Sequence, residues 1–335
     1  MFMRGRIAYL LAAAVLAAGL LLPAGPAPAQ MNIFDKPAWE KDLRRIMWRH
    51  RSCAALKSYI WEVGDAEKII TRDYSLFGTP PSATDFAPLH DVSAFVFAAY
   101  VAERMEGKLS DDHISALTLR SGYNAPLSQG CNISTSVGSC FGNMGGEKSR
   151  TGTPGEFYYG PGHMQKLAMT LDLGPYRDGD MRDEYGGEMG APAVHFYFNT
   201  LRVFDGLQMK PDNLSKFLRD VLAGHLRIRD LLGSHSVCLD PQNCAETKVL
   251  YAPAPRTRDY SLGHWVEKNP ETGAVEAYSM NGKTGIYVWI SADKKYYGYV
   301  IPLDDGINRS SAGISCGRAM YRTVVRATQA RGTAP

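Results

Sequence analysis

Two adjacent tyrosines, Tyr158 and Tyr159, precede a predicted helix start and have side chains that could transfer protons. Gly160 and Pro161 indicate the start, because proline suits the first helical position, where its missing N–H would have no partner. The apolar residues that follow recur at the spacing of one helix face: Met164, Leu167, Ala168 and Leu171. The positive end of the helix dipole favours an ionised phenol, so one tyrosine could accept a proton. Alternatively, both tyrosines pack a loop against the core.

A second candidate pair, His90 and Ser93, lies at the start of the long apolar segment Val92–Met105. A hydroxyl is a weak nucleophile unless a base removes its proton, and residues three apart share one helix face. His90 could therefore serve Ser93 as a general base. In the alternative interpretation, Ser93 bonds a backbone carbonyl within the helix, His90 helps to start that helix and Asp91 caps it.

The first 29 residues are predicted to be a secretory signal peptide, which export removes. Arg4 and Arg6 precede an apolar run from Ile7 to Leu22, and an A-x-A cleavage pattern ends at Ala29. An uncleaved anchor is the weaker alternative, because the run is short for a membrane span. No later segment is predicted to cross a bilayer, so we expect a periplasmic or secreted protein.

The composition favours a globular protein without nucleic-acid partners. Of 335 residues, 45% are hydrophobic and 21% are charged, and the formal net charge is +3. Loss of the signal segment removes Arg4 and Arg6 and no acid, which leaves a net charge of +1. A nearly neutral protein gives no electrostatic reason to expect nucleic-acid binding. A mature chain of about 300 residues can bury a substantial core, in one large domain or two interleaved ones.

Six cysteines, an even number, indicate disulfides in an exported chain. Two pairs are close enough in sequence to form local loops: Cys131–Cys140 and Cys238–Cys244. The remaining two, Cys53 and Cys316, would then tie the ends of the mature chain together. A metal site is the competing interpretation, but no C-x-x-C, H-x-x-H or H-x-x-x-H spacing occurs. We therefore expect no metal ion and no other cofactor.

The elements that must position these candidates alternate between strands and helices. Helices are predicted over Trp39–Leu56, over the apolar segment from Val92, after Gly160, over 214–222 and over Ala312–Gln329. Strands are predicted over Ser58–Val63, Lys68–Tyr74, 260–267, 274–280, 285–290 and 296–302. Residues 110–155 are predicted to be rich in loops, and residues 178–190 are predicted to form a loop. This order predicts an α/β (α+β) fold: an antiparallel sheet flanked by terminal helices, with an inserted all-helical lobe.

Five segments, in order, resemble motifs of the serine β-lactamase and penicillin-binding-protein superfamily, near class C β-lactamases and family VIII esterases. MEGKLSDD (105–112) resembles "EGKLSLDD", ALTLRSGY (116–123) resembles "LLTHTSGL", and PGEFYYGP (154–161) resembles "PGTxFxYSN". SKFLRDVLAGHL (215–226) resembles the late helix and "NGG" turn. YSLGHWVE (260–267) with SMNGKTGIYVWI (279–290) resembles "YGLGWWVE…HGGxGTYIWVDP". The matched segments span about residues 58 to 302.

The resemblance implies a β-lactamase/transpeptidase-like domain over residues 30–335. Its α/β lobe would comprise about residues 38–85 plus 245–330, and its helical lobe about residues 86–244. The first and last helices pack side by side in this fold, which supports the Cys53–Cys316 pairing.

The family's chemistry uses a nucleophilic Ser and a Lys in S-x-x-K, a Tyr in Y-x-N, and a K-T-G or H-x-G strand. In this chain the family's nucleophile position falls on His90 and its lysine position on Ser93, so HDVS replaces S-x-x-K. Starting the motif at Ser93 puts Val96 in the lysine position. The literal S-x-x-K, Ser291–Lys294, lies in a predicted turn and is attributed to chance.

The other two motifs match in part. Tyr159 takes the place of the family's tyrosine, with Pro161 where the family has Asn. For the third motif two registers stay open. Lys283 with Thr284 and Gly285 is a literal K-T-G and could bind a carboxylate, whereas alignment on the following strand puts Asn281 in that place.

The sequence therefore predicts an exported β-lactamase-related, serine-hydrolase-like protein that is catalytically impaired. It would keep a cleft for a small-molecule, peptide or cell-wall-like ligand. The alternative is an active periplasmic esterase, amidase or penicillin-recognising hydrolase with Ser93 as an unusual nucleophile. Only the missing motif favours a third hypothesis, a structural envelope protein. The candidate catalytic residues are Ser93, Tyr159 and Lys283, and the candidate ligand-binding residues are His90, Asn281, Thr284 and Gly285. Oligomeric state is left open.

Overall fold

The main sheet of the protein has eight antiparallel strands, and helices cover it. The computed structural model describes residues 37–74, 86–125, 131–190, 195–253, 258–282, 284–303 and 309–332. The strands are β1 (Tyr59–Gly64), β2 (Ile69–Tyr74), β3 (Ala87–Pro88), β4 (Phe157–Tyr158), β5 (Phe196–Phe198), β6 (Leu207–Met209), β7 (Val237–Cys238), β8 (Val249–Tyr251), β9 (Asp259–Tyr260), β10 (Trp265–Lys268), β11 (Val275–Asn281), β12 (Tyr287–Ser291) and β13 (Tyr297–Pro302). The helices are α1 (Trp39–Arg49), α2 (Arg51–Ala54), α3 (Ser93–Arg104), α4 (Asp111–Leu117), α5 (Val137–Asn143), α6 (Gly162–Thr170), α7 (Asp178–Met189), α8 (Pro211–Ala223), α9 (Ile228–Leu231) and α10 (Arg309–Gly332), with 3₁₀ turns at His90–Val92 and Gly146–Ser149.

The main sheet joins strands from distant parts of the chain in the order β2-β1-β13-β12-β11-β10-β9-β7. The β1–β2 hairpin turns at Asp65, whose carboxylate accepts two backbone hydrogen bonds within the turn. Antiparallel pairing of Tyr59 with Pro302 places β1 beside β13. The prediction that the strands near 58–74 and 260–302 form one antiparallel sheet is thus confirmed.

Helices α1, α2 and α10 cover one face of this sheet. Trp39 and Leu43 of α1 share a buried cluster with Met320 of α10 and with Trp289 of the sheet. Gly317 lets α10 approach closely, because the Tyr287 ring leaves no room for a Cβ there. The terminal helices therefore pack side by side on the sheet.

Three disulfides form with the predicted pairing. Cys53–Cys316 links α2 to α10 with a Cα separation of 4.8 Å. Two local bridges have Cα separations of 5.0 Å and 6.0 Å: Cys131–Cys140 and Cys238–Cys244. All three separations suit a disulfide without backbone movement.

Helix α3 is the central helix of the fold. Every residue from Ala94 to Ala102 is fully buried. A helix that is apolar all round must be surrounded by other elements. Phe95, for example, packs edge-to-face against Phe217 of α8 and against His264 of the loop before β10. The predicted central helix over Val92–Met105 agrees with α3.

Two local predictions were wrong. The single helix over Trp39–Leu56 is interrupted at His50, which is extended and whose ring accepts the Ser52 N–H at the start of α2. The predicted loop-rich segment 110–155 contains the short helices α4 and α5 between its loops. The predicted loop over 178–190 is α7, whose buried residues recur every fourth position: Met181, Tyr185 and Met189.

Two predictions about domain organisation and export are not tested by the structure. The signal peptide over 1–29 lies outside the described residues. The division into two lobes at residues 86 and 244 stays a prediction. Among the residues that the structure describes, no helix combines the length and the hydropathy needed to cross a membrane.

Candidate functional site

A cavity of about 370 Å³ lies where the turn before α6, the end of β11 and the start of α10 meet. Asp91, Tyr159 and Asn281 contribute polar groups to its wall, and Phe204 and Tyr251 contribute aromatic rings. Asp91 is the one ionisable acid or base among its described lining residues apart from the tyrosines. The cavity can therefore surround an apolar group of a ligand. It also presents a hydrogen-bond acceptor to a donor group of the same ligand.

Tyr159 donates a hydrogen bond of 2.9 Å to Oδ2 of Asp91 across this wall. Its ring stacks on Trp265 with centroids 5.4 Å apart and meets Phe204 edge-to-face. Burial and the nearby Asp91 charge raise the pKa of Tyr159 well above its ordinary value of 10. The phenol is therefore protonated at neutral pH and acts as a donor, so the hypothesis of a partly ionised proton acceptor was wrong.

Asp91 is positioned by the 3₁₀ turn that precedes α3. His90 begins this turn with a φ of 46°, a left-handed conformation that is uncommon for a residue with a side chain. Gly282 faces it so closely that an added Cβ would lie 2.9 Å from the His90 Cβ. This tight approach leaves His90 outside the cavity lining and puts the Asp91 carboxylate, 8% exposed, on the wall. Asp91 does not cap α3, whose first turn has no side-chain cap.

Ser93 has a structural contact in this fold. Its side chain is 0% exposed, and its Oγ accepts a hydrogen bond of 3.1 Å from the Leu207 N–H. This bond ties the start of α3 to β6, and Ser93 does not belong to the cavity lining. The structure thus does not bring Ser93 together with Tyr159 at the cavity.

Asn281, at the end of β11, is the second predicted site residue on the cavity wall. With its amide oxygen turned towards the two nearest donors, it accepts hydrogen bonds from Arg258 (2.9 Å) and from the Trp265 indole (3.3 Å). The Arg258 guanidinium also lies 4.2 Å from the Trp265 ring centroid, a cation–π contact. Arg258 therefore holds the ring against which Tyr159 stacks.

The Arg258 guanidinium forms an ion pair with a buried carboxylate, Glu267. It is 3.2 Å from Arg258 and 3.1 Å from Arg318. It also accepts hydrogen bonds from Ser279 (2.7 Å) and Tyr287 (3.2 Å). Burial opposes the charged form, yet Arg258 and Arg318 hold the pKa of Glu267 below its ordinary value. This network fixes the sheet side of the cavity.

A buried histidine supports the turn that carries the tyrosines. His163 Nδ1 accepts hydrogen bonds from the Ser121 N–H (3.1 Å) and Oγ (2.9 Å). Its Nε2 lies 3.1 Å from the Tyr158 carbonyl, so it carries the proton and donates to that oxygen. Burial lowers the pKa of His163 to about 3. The imidazole is therefore neutral and fixes the backbone beside Tyr159.

The remaining predicted site residues lie elsewhere or outside the description. Lys283 lies outside the described residues. Thr284 and Gly285 do not line the cavity, and Gly285 packs its backbone against the start of α10. In the literal S-x-x-K, the Ser291 hydroxyl donates to Asp293, and Lys294 donates to the Arg229 carbonyl. That pattern therefore belongs to a turn after β12, as predicted.

Sequence reasoning missed several residues of the site. Asp91 was assigned to helix capping. Its position next to His90, where the resemblance puts the family's nucleophile, could have indicated that it lies at the site. Arg258 and Trp265 act through packing against Asn281, which no local pattern indicates. Ser310, at the start of α10, supplies a hydroxyl to the cavity wall.

Solved structures with the same architecture identify the fold. A protein of Bacteroides dorei described as a β-lactamase superposes with a TM-score of 0.64 at 16% identity, covering 87% of this chain and 98% of its own. The hydrolase EstCE1, with promiscuous acyltransferase activity, gives a TM-score of 0.60 at 10% identity, covering 84% and 98%. Unliganded simvastatin synthase of Aspergillus terreus gives a TM-score of 0.55 at 14% identity, covering 86% of this chain and 99% of its own. This chain has the β-lactamase fold.

The β-lactamase fold is established here by structure and not by sequence, since no protein-family model and no curated protein matches the chain. The resemblance noted on the five ordered segments is thereby confirmed at the level of the fold. In this fold Asp91, just before α3, and Tyr159, just before α6, are joined by a hydrogen bond.

Proposed function

We propose that this protein is exported and binds a small acyl or peptide-like ligand in the cavity without forming an acyl-enzyme. The observation that carries this proposal is the Asp91–Tyr159 hydrogen bond at the start of the central helix. The resemblance would put a nucleophilic serine at His90 and its lysine at Ser93, and neither residue lines the cavity, where a carboxylate and a protonated phenol are bonded to each other. The buried Ser93 hydroxyl, bonded to the Leu207 N–H, supports the same conclusion.

The wall of the cavity indicates what a ligand must offer. Asp91 accepts hydrogen bonds, so a bound group should carry an amide N–H, hydroxyl or ammonium. Tyr158, Phe204 and Tyr251 present aromatic surface that would cover an acyl chain or an apolar side chain. Short acylated peptides combine these two features. We therefore infer that such molecules are the ligand class.

Binding of N-acetylated dipeptides to the purified mature protein tests this proposal by isothermal calorimetry. Tyr251→Ala removes an aromatic ring from the cavity wall and should weaken binding. Leu250→Ala is the matched control, because Leu250 is similarly exposed on the same strand and does not line the cavity. Equal affinities for both variants and the parent would contradict the proposed site.

Hydrolysis of simple esters by the same preparation tests the second half of the proposal. Without a base at the nucleophile, turnover should be about 10²–10⁴-fold slower than that of an active serine hydrolase with this fold. Turnover in that enzyme's range would instead support the alternative, a working hydrolase. Ser93→Ala and Ser310→Ala would then identify which hydroxyl reacts.

A further inference from the structure

Positive charge is concentrated in the helical layer, which we define as α1, α2 and α10. These helices contain ten Lys and Arg residues against two acids, a net charge of +8. The whole chain has a net charge of only +3, so the remaining residues sum to −5. Helix α10 contributes five arginines and no acid. The helical layer of a nearly neutral protein is therefore strongly cationic.

A groove of about 490 Å³ runs along this layer between α1 and α10. Arg318, Arg322 and Arg326 follow one another at single-turn spacing along its α10 wall, and His50 closes the α1 side. Arg318 is neutralised by Glu267 beneath the helix. Arg322 and Arg326 are exposed, and within the described chain Arg326 makes no ion pair with an acid. The outer part of the groove thus keeps its positive charge.

An exposed tryptophan lies on the same layer. Trp48 of α1 is 57% exposed, whereas the other four tryptophans are at most 3% exposed. Lys41, Arg45 and Arg49 are spaced on α1 so that they share its outer face with Trp48. Indole rings flanked by cations are typical of surfaces that rest at the boundary between lipid headgroups and acyl chains.

We propose that the helical layer docks on an anionic phospholipid bilayer. Charge complementarity supports this partner, since anionic headgroups attract a layer in which Lys and Arg residues outnumber acids five to one. The exposed Trp48 favours a bilayer over a soluble phosphate compound, because an indole gains from partial burial among acyl chains. The cavity at Asp91 plays no part in this contact.

Co-sedimentation of the mature protein with vesicles tests the proposal. Binding should occur with phosphatidylglycerol–phosphatidylcholine vesicles at low salt, fail with pure phosphatidylcholine, and weaken as salt screens the charges. Each Lys or Arg near such a surface strengthens binding about fivefold. The variant Arg49→Gln/Arg322→Gln/Arg326→Gln should therefore bind about a hundredfold more weakly. The matched variant Lys108→Gln/Lys148→Gln/Lys295→Gln removes three exposed cations outside the layer and should bind like the parent.

Fluorescence distinguishes a bilayer from a soluble anion as the partner. Brominated phosphatidylglycerol should quench the Trp48 emission, and Trp48→Phe should abolish that quenching. Inositol hexakisphosphate should compete only weakly with the vesicles. The proposal is overturned if the two triple variants bind equally, or if the protein binds inositol hexakisphosphate tightly without quenching by brominated lipid.

Discussion

The Tyr159 phenol and the Asp91 carboxylate are joined by a 2.9 Å hydrogen bond on the wall of the candidate-site cavity. The sequence resemblance implies that a tyrosine at this position would work beside a nucleophilic serine and a lysine. Here burial and Asp91 raise the pKa of Tyr159, so the phenol keeps its proton. The pair is suited to holding a ligand and to organising the helix start rather than to activating a hydroxyl.

A double-mutant cycle measures how strongly this pair is coupled. Tyr159→Phe removes the donor from a charged acceptor and should lower the free energy of unfolding by about 1.5–3 kcal/mol. Asp91→Ala should cost a similar amount, and the double variant less than the sum. Urea unfolding of the four proteins provides the values. Additive effects would mean that the contact contributes nothing to stability.

Removal of the long-range disulfide should cost more than removal of either local one. Cys53 and Cys316 are separated by 263 residues, whereas Cys238 and Cys244 are separated by 6. In the chain-entropy model, loss of the long link costs about 5 kcal/mol and loss of the short one about 2 kcal/mol. Thermal unfolding of the paired Cys→Ala variants tests the order. A larger loss for the short loop would contradict this prediction.

Glu267 should be essential for the stability of the cavity's sheet side. Glu267→Gln leaves the buried Arg258 and the partly buried Arg318 without their counter-charge, which should destabilise the fold by about 3–5 kcal/mol. Because the folded-state pKa of Glu267 lies below 4.5, its contribution is present above pH 4.5 and is lost as pH falls through that lower value. The free energies of unfolding of variant and parent should therefore differ less at pH 3 than at pH 7. An equal difference at both values would argue against this linkage.

His163 should lower the stability of the folded protein as pH falls, beginning at a higher pH than the loss of the Glu267 contribution. Its pKa is about 3 in the folded state, against about 6.5 when unfolded, so the unfolded chain binds a proton first as pH falls. As pH falls from 6.5 to 4.5, protonation of His163 in the unfolded chain should lower the free energy of unfolding by about 2–3 kcal/mol. His163→Gln does not titrate, so its unfolding free energy should vary less with pH than that of the parent. Identical pH profiles for the two proteins would refute the assignment.

The strands and the central helix were predictable because their local patterns and their tertiary environments agree. Gly64-Asp65 is a turn dipeptide between the predicted strands Ser58–Val63 and Lys68–Tyr74, which predicts the β1–β2 hairpin. The apolar segment over Val92–Met105 predicts a buried helix. Helix α7 was missed because Gly186 and Gly187 suggested a loop. Packing of Met181 and Tyr185 against the core outweighs that local preference.

The candidate site was predictable only where the family motifs coincide with the cavity. Tyr159 and Asn281 were found through their motifs and both line the cavity. Ser93 was chosen by residue type, but the direction of its side chain depends on how α3 packs against β6. Asp91 reaches the wall because of the left-handed turn at His90, a conformation that the residue types do not indicate.

Intact mass measurement after incubation with benzylpenicillin or a fluorophosphonate tests the central claim most directly. An acyl-enzyme requires a nucleophile with a base. On the cavity wall Tyr159 is bonded to Asp91, while the Ser93 hydroxyl is buried and bonded to the Leu207 N–H. We expect the mature protein and its Ser93→Ala variant to keep their unmodified masses, while an active serine hydrolase with this fold is labelled in parallel. Stoichiometric labelling of the mature protein that disappears in Ser93→Ala would contradict the account, because a hydroxyl assigned here to a backbone contact would then be the nucleophile.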